Sequence, residues 1–170
     1  MGEAPSSNAV GAGASPSEAL CVRCGFCCDG ALFGHVPVHD DEAAALPAPL
    51  VAVEREGQKT RLAFLQPCAV FRAQCTVYDA RPKVCRTYRC ELLKAVEAGE
   101  RTLEEAHAIV ARVQERRTDI ERRVGEPFEL AKRSLVLNAG RDVDAFLTLL
   151  AVEKDLDAHF RKHAEEGDEG

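Results

Sequence analysis

Tryptophan is absent from the 170-residue chain and aromatic residues make up only 5%, so there is little on which nucleic-acid bases could stack. Basic residues are outnumbered 22 to 28, and the resulting formal charge of −6 argues against a broad nucleic-acid or anionic-membrane surface. No apolar run approaches the ~20 residues that a transmembrane helix needs. The opening stretch, Met1–Pro16, has neither a positively charged start nor the apolar run of a secretory signal. We therefore expect a soluble protein of the reducing cytoplasm. Gly2 and Ser6 fit the loose N-myristoylation pattern, a six-residue coincidence to which we attach no function. Hydrophobic residues at 46% against 29% charged describe a globular chain rather than a disordered one.

Cysteine is also missing after Cys90, and that absence divides the chain, because eight cysteines crowd into residues 21–90. Residues 1–19 read as a flexible Gly/Ala/Ser/Pro tail, 20–92 as a small loop-rich metal unit with short strands, 93–165 as a helical support and 166–170 as an acidic tail. The expected fold class is α+β. Strands are expected over Ala31–Val38, at an edge because Pro37 lacks a ladder donor, over Leu50–Glu54, Arg61–Leu65 and Cys75–Tyr78. A short helix is expected over Asp40–Leu46, and a hairpin turn at Glu56–Lys59. Helical patterning begins with Arg86–Glu97 and stops at Gly99. Thr102 and Glu105 then form a capping-box pair. They open a helix with a stripe of Leu103, Ala106, Val110, Val113, Ile120 and Val124, interrupted where Arg117 occupies the seam. After Gly125 and Pro127 a further helix is expected to about Leu137. A last helix follows, with Val143, Phe146, Leu147, Leu150 and Phe160 as its buried stripe.

In a reducing compartment clustered cysteines serve metals or redox chemistry rather than disulfides. Cys21-x2-Cys24-Gly25-Phe26-Cys27-Cys28 lets several thiolates converge while Gly25 permits the backbone to reverse. Cys68, Cys75, Cys85 and Cys90 complete the set. Eight sulfurs make two four-thiolate sites, or one site plus four thiols with other work, and adjacent Cys27 and Cys28 can serve different ions. Four thiolates around zinc or a [4Fe–4S] cluster leave negative charge to be balanced, and Arg23, Arg72, Arg81, Lys83, Arg86 and Arg89 lie near cysteines in the sequence. Asp79 with Pro82 reads as the start of a short helix whose amides favour the thiolate of Cys85. His35 and His39 read as edge-strand residues that are alternate ligands at most. Tyr78 and Tyr88 read as packing for the centre.

The string CVRCGFCC, followed by PCAVF, CTVYDARP and CRTYRC, resembles the YkgJ-type CxxCxxCC cysteine-cluster family, a zinc- or iron-chelating domain. The resemblance runs over residues 21–90 and includes Gly25, Tyr78, Arg81, Pro82 and Arg86. It implies that Cys21, Cys24, Cys27, Cys28, Cys68, Cys75, Cys85 and Cys90 are metal ligands. Arg89 departs from it, standing where the family often has a proline, which points to a looser turn around Cys90. The similar cluster of a relative, the flagellin lysine N-methylase, implies methyl transfer only distantly, because this chain is short by comparison and its helical half has no glycine-rich strand–turn–helix for a nucleotide.

The expected function is metal binding, with an iron–sulfur cluster slightly favoured over zinc by the ferredoxin-type Cys-x2-Cys-x2-Cys opening and the absence of histidine from the pattern. An iron–sulfur centre implies electron transfer or an accessory redox role. Zinc implies a structural interaction module, with a protein partner met through the helical region.

Overall fold

The computed structural model describes residues 15–43, 51–53, 61–72 and 74–161. The expected acidic tail, most of the expected N-terminal tail and the Glu56–Lys59 turn lie outside them. The architecture is α+β, with a small antiparallel sheet and a larger helical body. Among the described residues no helix is long and apolar enough to cross a membrane.

The first helix, α1 (Pro16–Cys24), is one that sequence patterning did not bring out. Ser15 and Glu18 cap it reciprocally, a serine side chain taking the Glu18 amide while the glutamate returns to the Ser15 amide. Pro16 at the first position costs the helix no hydrogen bond. Three short strands follow: β1 (His35–Pro37), β2 (Val51–Val53) and β3 (Arg61–Leu65), with β3 central in the order β1-β3-β2. Register pairs Val36 with Phe64 and Val51 with Ala63. Pro37 lies on an edge strand, as its missing donor requires. The strand expected from Ala31 is shorter than patterning suggested and begins at His35. The helix expected at Asp40 is present as α2 (Asp40–Ala43), and its continuation lies outside the described residues.

Cys75–Tyr78 is not a strand. Apart from a single bridge between Phe71 and Cys75, this loop closes on itself through Thr76 N–H to Val70 and Ala80 N–H to Val77. The single helix expected over Arg86–Glu97 is two, α3 (Lys83–Thr87) and α4 (Glu91–Glu97). Tyr88 and Cys90 are extended, and the Cys90 sulfur caps α4 by accepting from the Leu93 amide.

Three longer helices complete the chain: α5 (Leu103–Val124), α6 (Phe128–Leu137) and, after a 3-10 turn at Ala139–Arg141, α7 (Val143–His159). The Thr102–Glu105 capping box opens α5 and left-handed Gly125 ends it, both as expected. Ala106, Val110, Val113 and Ile120 are buried, and Ile109 joins them. The buried stripe of α7 matches the expected one only in part: Phe160 is buried and Phe146 packs against the core, as expected. Ala145, Leu149, Val152 and Leu156 face the core, while Val143, Leu147 and Leu150 are at least half exposed. An apolar helix offers more than one stripe, and the small Ala145 and Val152, both fully buried, suit the face packed closest to α5.

One large apolar core joins Leu20, Phe26, Ala31 and Cys90 to residues of α4, α5, α6 and α7. A second and much smaller one contains Val36, Val38 and Phe64.

Candidate metal centre

Cys21 and Cys24 are three apart on α1 and share its face. Gly25 ends the helix at φ 72°, and a Cβ there would lie 2.5 Å from the Phe71 ring, so glycine is required both for the turn and for the close approach. The chain reverses as the Cys28 and Asp29 amides donate to the Gly25 carbonyl at 2.7 and 3.0 Å. Phe26 drops into the large core, edge-on to Phe160 at 5.2 Å, and so fixes the turn that presents Cys27 and Cys28. Asp29 is tied from outside the cysteine region by Arg117 at 2.6 Å. Arg117 also lies over the rings of Phe128 and Phe26, which explains an arginine in the α5 seam.

The later cysteines are brought in by backbone contacts. The Cys68 amide donates to the Cys28 carbonyl at 2.7 Å, the Phe71 amide to the Cys68 carbonyl at 3.0 Å, and Cys75 is bridged to Phe71. Cys85 is on α3 and Cys90 caps α4. All eight cysteines line one cavity of about 230 Å³. Its other walls are mainly apolar, Phe33, Phe64 and Val84 among them, with His35, Gln66, Tyr78, Arg81 and Tyr88 as polar members. All eight cysteines are free of disulfide bonds.

Burial raises Cys21, Cys24, Cys27, Cys28, Cys85 and Cys90, and neighbouring cysteines raise the first five further. Cys21 is pushed up to about 11 by burial and then by Cys90. Cys24 is raised by burial, with Cys90 and Cys21 adding to it, and Cys27 by burial with Cys24, Cys90 and Cys21. Cys28 is pushed up to about 12 by burial and by Cys68, Cys75 and Cys85. Cys85 is pushed up to about 11 by burial, Cys68 and Cys75, with Arg81 acting the other way. The expected short helix is present as α3, with Pro82 as its N-cap and without a side-chain cap, and burial outweighs whatever so short a dipole offers the thiolate. These are thiols at neutral pH unless a cation takes the proton's place. Consistently, no three His, Cys, Asp or Glu side chains among the described residues converge closely enough, as they stand, to hold an ion.

Of the six cations expected to balance thiolates, Arg81 is the one that lines the cavity. It stacks on Tyr78 at 3.4 Å and lowers both Cys21 and Cys85. Arg89 also acts on Cys21. Its side chain bonds the Arg86 and Tyr88 carbonyls and Glu97, so it braces the turn before Cys90 rather than loosening it. Arg86 pairs with Glu42, while Arg23 and Arg72 are exposed. His35 lines the cavity and His39 is exposed. Tyr88 packs edge-on against Phe33 at 5.0 Å. Asp29 was not singled out by sequence reasoning, and the one signal for its role was a charged residue, Arg117, in an apolar stripe.

A family model described as "CxxCxxCC: Putative zinc- or iron-chelating domain" matches residues 20–112. Among curated proteins and among solved structures, nothing matches the chain.

Proposed function

The chain belongs to the CxxCxxCC family of zinc- or iron-chelating domains, and from that premise we propose that its eight cysteines are the ligands of an iron–sulfur centre with an electron-transfer or accessory redox role. One observation carries this reading: eight cysteines drawn from residues 21–90 all line a single, largely apolar cavity. The donor set is almost purely sulfur, the chemistry that iron–sulfur clusters and four-thiolate zinc both use. Such a centre would supply one-electron exchange at a site closed to substrate by complete thiolate ligation. The chain's own contribution is to exclude water with Phe33, Phe64, Phe71 and Phe160, and to bond sulfur with backbone amides, as Leu93 does to Cys90. Arg81 offsets thiolate charge. Closure of the sulfurs and metal binding are then one event, each proton leaving as the metal enters. The reading places the protein in a reducing compartment, the cytoplasm.

Zinc in the same cavity gives a second reading, a structural interaction module, and one observation favours it. Leu130, Val136, Leu137, Val143, Leu147 and Leu150 of α6 and α7 are all at least half exposed, an apolar surface suited to a protein partner. Purification without oxygen or chelators, followed by absorption and by iron, zinc and sulfide analysis of the same sample, separates the two. A broad band near ~400 nm with matching iron and sulfide supports the cluster. Colourless protein with stoichiometric zinc supports the module and rejects the redox role.

A further inference from the structure

The cavity is bordered by two separate apolar cores, and the cysteines are sorted between them. Cys90 belongs to the large helical core and Cys21 and Cys24 pack against it, while Cys68 and Cys85 pack against the small core of Val36, Val38 and Phe64. The remaining three are placed by local ties. Cys27 follows Phe26, which is anchored beside Phe160 in the large core. Cys28 receives the Cys68 amide on its carbonyl, and Cys75 is bridged to Phe71, whose own amide bonds Cys68.

From this sorting we propose that the chain carries two four-thiolate metal centres, one held by Cys21, Cys24, Cys27 and Cys90, the other by Cys28, Cys68, Cys75 and Cys85. The inference rests on the metal-binding reading above and deepens it. Consecutive Cys27 and Cys28 join the two centres through one peptide unit. Arg81 lines the cavity that holds both sets. Two centres that share a wall and a counter-charge are electrostatically coupled, so the charge state of one shifts the other. The sorting also answers why two cysteines are adjacent, since a single four-thiolate site has no use for both.

The test is a pairwise serine scan on the full chain, reading total iron, zinc and sulfide as purified and then cobalt(II) saturation of the metal-stripped protein by its thiolate charge-transfer absorption. The wild type is expected to hold two centres and to saturate at two cobalt ions. Cys24→Ser with Cys27→Ser, both in the first set, should halve the metal, and Cys68→Ser with Cys75→Ser should halve it as well. Cys24→Ser with Cys68→Ser, one from each set, should abolish it. Circular dichroism of the helices shows that each variant is folded. Should a pair unfold, the single variants Cys27→Ser and Cys28→Ser decide, since each must lose one centre and keep the other. A wild type saturating at one ion, or a within-set pair that loses all metal while its helices persist, overturns the division and leaves the metal-binding reading standing. A folded wild type that carries no metal and takes up no cobalt overturns both.

Discussion

Replacing Asp29 with asparagine leaves its Oδ1 to accept from the Ala31 amide but removes the charge that faces Arg117. The two side chains are 22% and 11% exposed, so the pair is screened by protein more than by water. At 2.6 Å and an effective dielectric of 20 the gross attraction is about 6 kcal/mol, most of it offset by desolvation. Removing one partner of such a pair costs about 3–5 kcal/mol when fully buried. Asp29→Asn strands a cation whose Nε already lacks a partner, and we expect a loss of about 3 kcal/mol. Arg117→Met leaves the more accessible Asp29, and methionine packs on Phe26 and Phe128, so about 2 kcal/mol is expected. The double variant, with neither charge, should cost no more than the worse single one, giving a coupling energy of about 2 kcal/mol. Urea unfolding with a common slope measures all four corners of the cycle. Metal content is the second readout, because Asp29 adjoins Cys28 and Arg117 touches Phe26. A coupling below about 1 kcal/mol, the range of exposed pairs, would refute the claim that this contact holds the cysteine turn.

Four further outcomes follow from the same geometry. Leu149→Ala should destabilise the protein by about 2–5 kcal/mol and Leu147→Ala by less than about 0.5 kcal/mol; equal losses in thermal unfolding would mean that the α7 face is assigned wrongly. Gly25→Ala should cost about 1–2 kcal/mol for the left-handed backbone alone and lower metal content by displacing Phe71, with the metal loss smaller in a Phe71→Leu background; undiminished metal in the Gly25 variant would reject the tight approach. Because Cys21 and Cys85 stand near 11 and Cys28 near 12, zinc uptake at pH 7 should release about four protons per ion and tighten as pH rises. Calorimetry in two buffers of different ionisation heat counts them, and fewer than about two rules out four-thiolate binding. Burial holds the Glu129 carboxyl above its usual value, so the folded state keeps a proton that the unfolded chain has lost, and stability falls as pH rises from about 4.5 through the raised value. Glu129→Gln should melt higher than wild type at pH 7, with the gap closing toward pH 4, and a gap independent of pH counts against this.

What could be read from the sequence was whatever depends on neighbours in the chain. The Thr102–Glu105 box, the Gly125 stop, the limits of β3 and the α5 stripe are local patterns, and each stands where patterning put it. Helix α1 was equally local, since Ser15 and Glu18 have the capping-box spacing, but the surrounding Gly, Ala, Ser and Pro masked that signal. The break at Tyr88–Cys90 needed a thiol acting as N-cap, an uncommon use of cysteine that competes with the apolar period. The α7 stripe was right at Phe146 and Phe160 and wrong at Val143, Leu147 and Leu150 for another reason. Leucines occupy several faces of that helix, and only the closeness of α5 selects the face bearing Ala145 and Val152. Likewise the eight cysteines were visible as a set, whereas their sorting depends on contacts such as Cys28 with Cys68, forty positions apart.

The placement of the cysteine turn bears on what metal does for the fold. A four-thiolate finger with no core of its own is unfolded without its ion. Here the turn is bound instead to a helical body, since Leu20, Phe26 and Cys90 are buried with Ile120, Leu149 and Phe160, and Arg117 reaches Asp29 from α5. That half of the cavity wall is held by ordinary packing. The other half is less supported by what is described, because among the described residues its core has just Val36, Val38 and Phe64 buried. Burying three such side chains yields on the order of 5–9 kcal/mol before the entropy of ordering the strands and the loop of Cys68 to Cys85 is charged against it. On the proposed reading, metal ligation contributes most to order on the sheet side, where the described residues supply the smaller core. The cavity thus joins a wall carrying Cys21, Cys24, Cys27 and Cys90 on the side of the large core to one carrying Cys68, Cys75 and Cys85 on the side of the small core, and the Cys27–Cys28 peptide is the seam between them.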